Sequence, residues 1–221
     1  MWWRVQRWAL VGGTGLLLAG FLVGALSMGA GVLGGGPAAE AAPRTNVRLA
    51  GGVQAQRPTE PLTSEERIGL RALSMVDLRW EELLPGWRIE FRPARRGYLA
   101  MTYRVDRRIE VFVRPDRPVP AIARDIAHEL GHALDVTLLD DRRRATYLAL
   151  RGLPASTSWW ACDSCRDLRT GAGDFAEAFA WWAAPRYRFY GELAPAPSDA
   201  VLEQLATQVF PEATGFRGRS S

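Results

Sequence analysis

Ile122-Ala123-Arg124-Asp125-Ile126-Ala127-His128-Glu129-Leu130-Gly131-His132-Ala133-Leu134 is the stretch on which the reading of this chain turns. Ile122, Ile126, Leu130, Ala133 and Leu134 recur at helical spacing, and Pro118 and Pro120 punctuate the chain just before them, so the stretch predicts a helix with one apolar face. His128 and His132 are the only two histidines of the 221 residues. Residues four apart on a helix lie one turn above one another, so both imidazoles can reach a single Zn2+. Glu129 then sits beside the metal, placed to take a proton from an attacking water and hand it to a leaving amine. The plain alternative is a helix carrying two half-buried histidines, and the apolar face and proline punctuation weigh against it.

Outward from this helix the chain reads as one α+β domain. Thr63 followed by Glu66 has the form of a capping box, and Ile68, Leu70, Leu73, Val76, Leu83 and Leu84 predict a helix from about 63 to 83. Trp87 to Phe91, Tyr98 to Val105 and Ile109 to Val113 alternate apolar and polar residues as half-buried strands do, which suggests a small, mainly antiparallel sheet with a hairpin at Asp106-Arg107-Arg108. A helix is expected from Asp141 to Leu150, another from Asp174 to Trp182 ended by Pro185, and a last one from Ser198 to Val209, giving a C-terminal helical part.

With 48% hydrophobic residues, nine Trp and eight Phe, the chain can bury one well-packed core. All positive charge is arginine, the net charge is only +4, and the arginine pairs are interleaved with acids, so no nucleic-acid partner is expected. Arg4 and Arg7 precede an uncharged run from Trp8 to Leu33, long enough for the roughly 20 apolar residues that span a bilayer. The basic flank favours a cytoplasmic N-terminal end, which makes residues 1–33 a membrane anchor or signal segment and the rest extracytoplasmic. Ala39-Glu40-Ala41 offers a cleavage site that would give a secreted product instead. Residues 34–61, rich in Gly, Ala, Pro and Arg, read as a flexible linker, and 62–221 as the catalytic domain. Cys162 and Cys165 are the whole cysteine content and suit a local disulfide bracing the Trp-rich loop, with a latency thiol as the alternative.

Two imidazoles leave a catalytic zinc site one protein ligand short, and with no third histidine a carboxylate or a cysteine must serve. Asp174 and Glu177 stand three apart on an aromatic, alanine-rich helix where an uncompensated acid would be costly. Asp135, on the histidine helix itself, is a rival better suited to orienting a histidine or ending the helix. Tyr187 and Tyr190 could donate to a transition-state oxyanion or simply pack.

The HELGH pentapeptide, His128 to His132, resembles the HExxH signature of zinc metallopeptidases, and with a later helix-borne acid it resembles the gluzincins. His128-Glu129-Leu130-Gly131-His132-Ala133-Leu134-Asp135 together with Phe175-Ala176-Glu177-Ala178-Phe179 looks like the catalytic domain of the anthrax lethal factor type. The resemblance implies a zincin-like fold, Zn2+ held by His128 and His132, and Glu129 as general base; the longer reach and same-face position of Glu177 make it the expected third ligand, with Asp174 backed by Glu177 as the alternative. In that family the ligand glutamate lies one turn before a second acid, a place taken here by Gly173. The resulting expectation is a membrane-tethered or secreted zinc peptidase that holds a peptide along an edge strand, with Ile109 to Val113 as candidate. An inactive zincin-fold binding module and a zinc amidase of the cell envelope are the alternatives.

Overall fold

The structure, a computed structural model, describes residues 61–160 and 166–218. Along them run α1 (Ser64–Leu73), α2 (Trp80–Leu83), β1 (Arg88–Pro93), β2 (Ala100–Tyr103), β3 (Arg108–Val113), α3 (Val119–Leu138), α4 (Asp141–Leu150), α5 (Gly171–Ala183), α6 (Asp199–Gln208) and α7 (Pro211–Thr214). A short 3-10 turn, Asp167–Arg169, precedes α5. The chain is thus a mixed α+β protein with a three-stranded sheet and seven helices among the described residues. No helix of the described residues is long and apolar enough to cross a membrane, and the Trp8–Leu33 run, the linker and both cysteines lie outside them.

α3 is the axis of the molecule. Every residue from Ala121 to Asp135 is buried, because α1 and the sheet cover one side and α5 covers the other. Gly131 lets α5 come that close: a Cβ there would sit 2.8 Å from Cα of Ala176. The helix lies with Ile122, Ile126, Leu130 and Leu134 in the core beside Phe175 and Phe179 of α5.

The capping box forms as the sequence suggests. Glu66 N donates to Thr63 Oγ1 at 3.1 Å and Thr63 N donates to Glu66 Oε2 at 2.7 Å. The helix it starts is shorter than expected, ending at Leu73 rather than near residue 83. Beyond it the backbone finds partners elsewhere: Asp77 N donates to Ala183 O and Arg79 N to Phe216 O, both at 2.7 Å. These tertiary bonds replace helical ones, so Val76 and Leu78 reach the core from an irregular segment.

The sheet differs from expectation in its pairing. Its order is β1-β3-β2, with β1 parallel to β3 and β2 antiparallel to β3. β3, expected as the edge strand, is central. Ile109, Val111 and Val113 are each at most 1% exposed, and the most apolar strand gains by having its backbone satisfied on both sides. β2 therefore becomes an edge, and its Thr102 faces α3.

Candidate metal centre

α3 presents His128, Glu129 and His132, all at most 4% exposed. The two Nε2 atoms lie 3.1 Å apart, and each is 3.2 Å from Oδ2 of Asp167. These three buried residues form a group able to hold a metal ion, their ligand atoms all within 4.8 Å of one another. A tetrahedral ion with ligand bonds of about 2.0–2.2 Å sets its ligand atoms roughly 3.3–3.6 Å apart, so the triangle fits one with little adjustment.

Asp167 is held by the chain around it. Thr170 N and Thr170 Oγ1 both donate to Asp167 O at 2.8 Å, and the same hydroxyl caps α5 by accepting from Gly173 N at 3.0 Å. Gly173 leaves the room: a Cβ there would lie 2.1 Å from the Asp167 carbonyl oxygen and 2.8 Å from its Oδ2. Gly173 thus lets a carboxylate from the preceding turn approach the two histidines.

Glu177, expected as the third ligand, sits on the other side of His128. Its Oε1 is 2.9 Å from His128 Nδ1 and ion-paired with Arg124 Nη2, while its Oε2 accepts from Tyr190 N at 2.9 Å. The carboxylate that converges on both Nε2 atoms is Asp167 instead. Asp174 lies apart from the histidines, bonded by Tyr147 Oη at 2.5 Å and by Arg151 Nε at 2.8 Å. Asp135 ends its turn of helix against Arg144 Nε at 3.0 Å and Trp159 Nε1 at 2.9 Å. Tyr190 lies by the site, its ring centre 4.4 Å from the Arg124 guanidinium, whereas Tyr187 is 48% exposed.

Charge compensation sorts these acids. Six carboxylates are buried among the described residues: Asp125, Glu129, Asp135, Asp167, Asp174 and Glu177. Asp125 is paired with Arg117 and Arg124, Asp135 with Arg144, Asp174 with Arg151 and Glu177 with Arg124. Glu129 and Asp167 have no arginine partner among the described residues. The positive charge nearest these two is on the histidines rather than on an arginine, which sets them apart from the other buried acids. Asp167 Oδ1, Glu129 Oε1 and His132 Nδ1 are moreover buried without a hydrogen-bond partner.

Burial dominates the titration of the group. It pushes His128 down to about 3 and Glu129 up to about 7. Burial also works against charge on His132, but the Asp167 carboxylate, with Glu129 and Asp135, outweighs it and raises that imidazole to about 9. Asp167 resists burial through the charge of His132 and hydrogen bonds from both rings, which hold it well below the usual carboxylate range. Glu129 is fixed from above by β2: Thr102 Oγ1 donates to its Oε2 at 2.6 Å.

The chain matches no protein-family model, no curated protein and no solved structure.

Proposed function

We propose that this protein is a zinc-dependent hydrolase of zincin-like build that cleaves peptide bonds, with His128, His132 and Asp167 holding the ion and Glu129 as general base. The observation that carries the proposal is the triangle of two Nε2 atoms and Asp167 Oδ2, 3.1–3.2 Å on a side, with Glu129 adjacent on the same helix. A bound divalent ion supplies Lewis acidity, polarising the scissile carbonyl and lowering the pKa of the attacking water.

The chain's own residues do the rest. Glu129 Oε2 is occupied by Thr102, which leaves Oε1 to take the proton from water and return it to the leaving nitrogen. Glu177, anchored by Arg124 and Tyr190 N, fixes the His128 ring through Nδ1, so its Nε2 faces the ligand triangle.

β2 supports a peptide as substrate. Among the described residues it is paired on one side only, and Phe112 N donates to Leu99 O, so antiparallel alternation turns the Ala100 and Thr102 peptide groups away from β3. The Trp8–Leu33 run supports a membrane tether with the catalytic domain outside the cytoplasm. The test is turnover of a mixed peptide library by the full chain and its Glu129→Gln variant. The proposal expects cleavage by the parent and at least a roughly thousandfold loss in the variant with metal still bound; equal turnover by both would refute it.

A further inference from the structure

The turn joining β2 to β3 carries a cation that no carboxylate among the described residues neutralises. Of the half-buried arginines among the described residues, Arg108, Arg117, Arg143, Arg144, Arg151 and Arg166 each pair with a carboxylate. Arg114 donates instead to the carbonyls of Arg95 and Tyr98. Arg104 alone has neither, its side chain making no hydrogen bond or ion pair. Its guanidinium rests on the ring of Trp160, 4.8 Å from the centre.

That placement puts the charge at the end of the strand that reaches the candidate metal centre. Arg104 is two residues beyond Thr102, whose hydroxyl holds Glu129. Trp160 belongs to the segment that leads on to Asp167, and its neighbour Trp159 is bonded to Asp135 on α3. Arg104 therefore links the end of the edge strand to the segment that carries the third ligand. Arg144 touches the same indole, at 5.1 Å, but its charge is met by Asp135 and Asp141.

The tip around it is braced and exposed. Arg88 Nη1 donates to Asp106 O at 2.9 Å and Arg88 N to Arg107 O at 3.0 Å. Arg107 is held at φ 46, in the left-handed region that side chains disfavour, and Val105 is 93% exposed. A braced turn offering an unpaired guanidinium and an exposed valine is suited to meet another chain. A planar guanidinium fixed on an indole has its N–H groups aligned for one ligand above all, a carboxylate.

We propose that Arg104, seated on Trp160, receives a carboxylate side chain of the substrate, so that the site selects peptides with Asp or Glu at a fixed distance from the scissile bond. This rests on the hydrolase reading above, and the experiment separates the two. Zinc-loaded full-length protein is incubated with an equimolar library of decapeptides containing all residue types, and cleavage sites are read by mass spectrometry. In parallel, the Glu129→Gln protein, immobilised, is used to retain uncleaved peptides from the same library.

The expected result is enrichment of Asp and Glu at one position relative to the cut. Arg104→Ala lowers that preference roughly tenfold, Arg104→Lys keeps part of it, and Arg104→Glu reverses it toward Lys and Arg. Unchanged circular dichroism in the variants assigns the effect to the subsite. Cleavage with no acidic preference, or with a preference that all three variants retain, overturns the subsite and leaves the hydrolase. No cleavage, with acidic peptides retained by Glu129→Gln and released by adding Arg104→Ala, overturns the hydrolase and leaves the subsite. Neither cleavage nor selective retention overturns both.

Discussion

Gly173 and Asp167 share one space: a Cβ on the glycine would stand 2.8 Å from Oδ2 of the aspartate and 2.1 Å from its carbonyl oxygen. Because the nearer contact is with backbone, a rotamer change cannot relieve it. Gly173→Ala is expected to push the Asp167 turn away from the histidines, weakening zinc binding by more than roughly tenfold and destabilising the fold by about 1–3 kcal/mol. Competition against a chromophoric chelator, beside a thermal melt, measures both. Unaltered affinity would mean that Asp167 does not need that position to serve the metal.

Glu177 and Asp167 flank His128 from its two nitrogens, and they are separable by experiment. Glu177→Gln should keep one metal per chain but weaken it roughly ten- to a hundredfold, as expected for a partner that orients a ligand. With Co2+ in place of zinc, the variant should keep the visible absorption of a low-coordinate site. Loss of bound metal and spectrum together would restore Glu177 to the coordination sphere.

Thr102 acts on the proposed base without touching the histidines. Thr102→Val keeps the shape and removes the 2.6 Å hydrogen bond to Glu129 Oε2. The expected outcome is a roughly tenfold drop in kcat with KM and zinc content preserved, since a hydrogen bond to a charged group contributes about 1.5–3 kcal/mol. A KM effect with kcat intact would make Thr102 a substrate contact.

Asp174 should matter for stability alone. It is fully buried, and Asp174→Ala would leave Tyr147 Oη and the 4% exposed Arg151 side chain without their anion. Breaking a buried pair of this kind costs about 3–5 kcal/mol. Chemical denaturation of the variant should show that loss, while the zinc affinity of the folded fraction holds. A metal-binding defect without a stability defect would contradict the assignment.

The parts of this molecule legible in its sequence are those encoded locally. The α3 helix, its two histidines and Glu129 follow from residue spacing, the Thr63–Glu66 box from side-chain chemistry, and α4, α5 and α6 from apolar period. Strand partners are not written locally. Alternation placed β1 and β3 as strands but could not say that they run parallel or that β3 lies between its neighbours. The interruption after Leu73 depends on carbonyls at Ala183 and Phe216, more than a hundred residues away. Asp167 escaped for the same reason, since a lone aspartate in a short turn has no period and meets His128 and His132 only through the fold. The one trace was Gly173, a glycine where a ligand-bearing side chain would be expected, which is also where the aspartate enters.

The proposed function stands on His128, His132 and Asp167 together holding a catalytic metal. Its most direct test is the zinc content of the full-length chain after exhaustive dialysis, measured beside His128→Ala, Asp167→Asn and Glu177→Gln. One zinc per chain in the parent and in Glu177→Gln, with loss in the other two, is the predicted result. A parent that takes up no metal, or an Asp167→Asn variant that holds zinc as tightly as the parent, would contradict it.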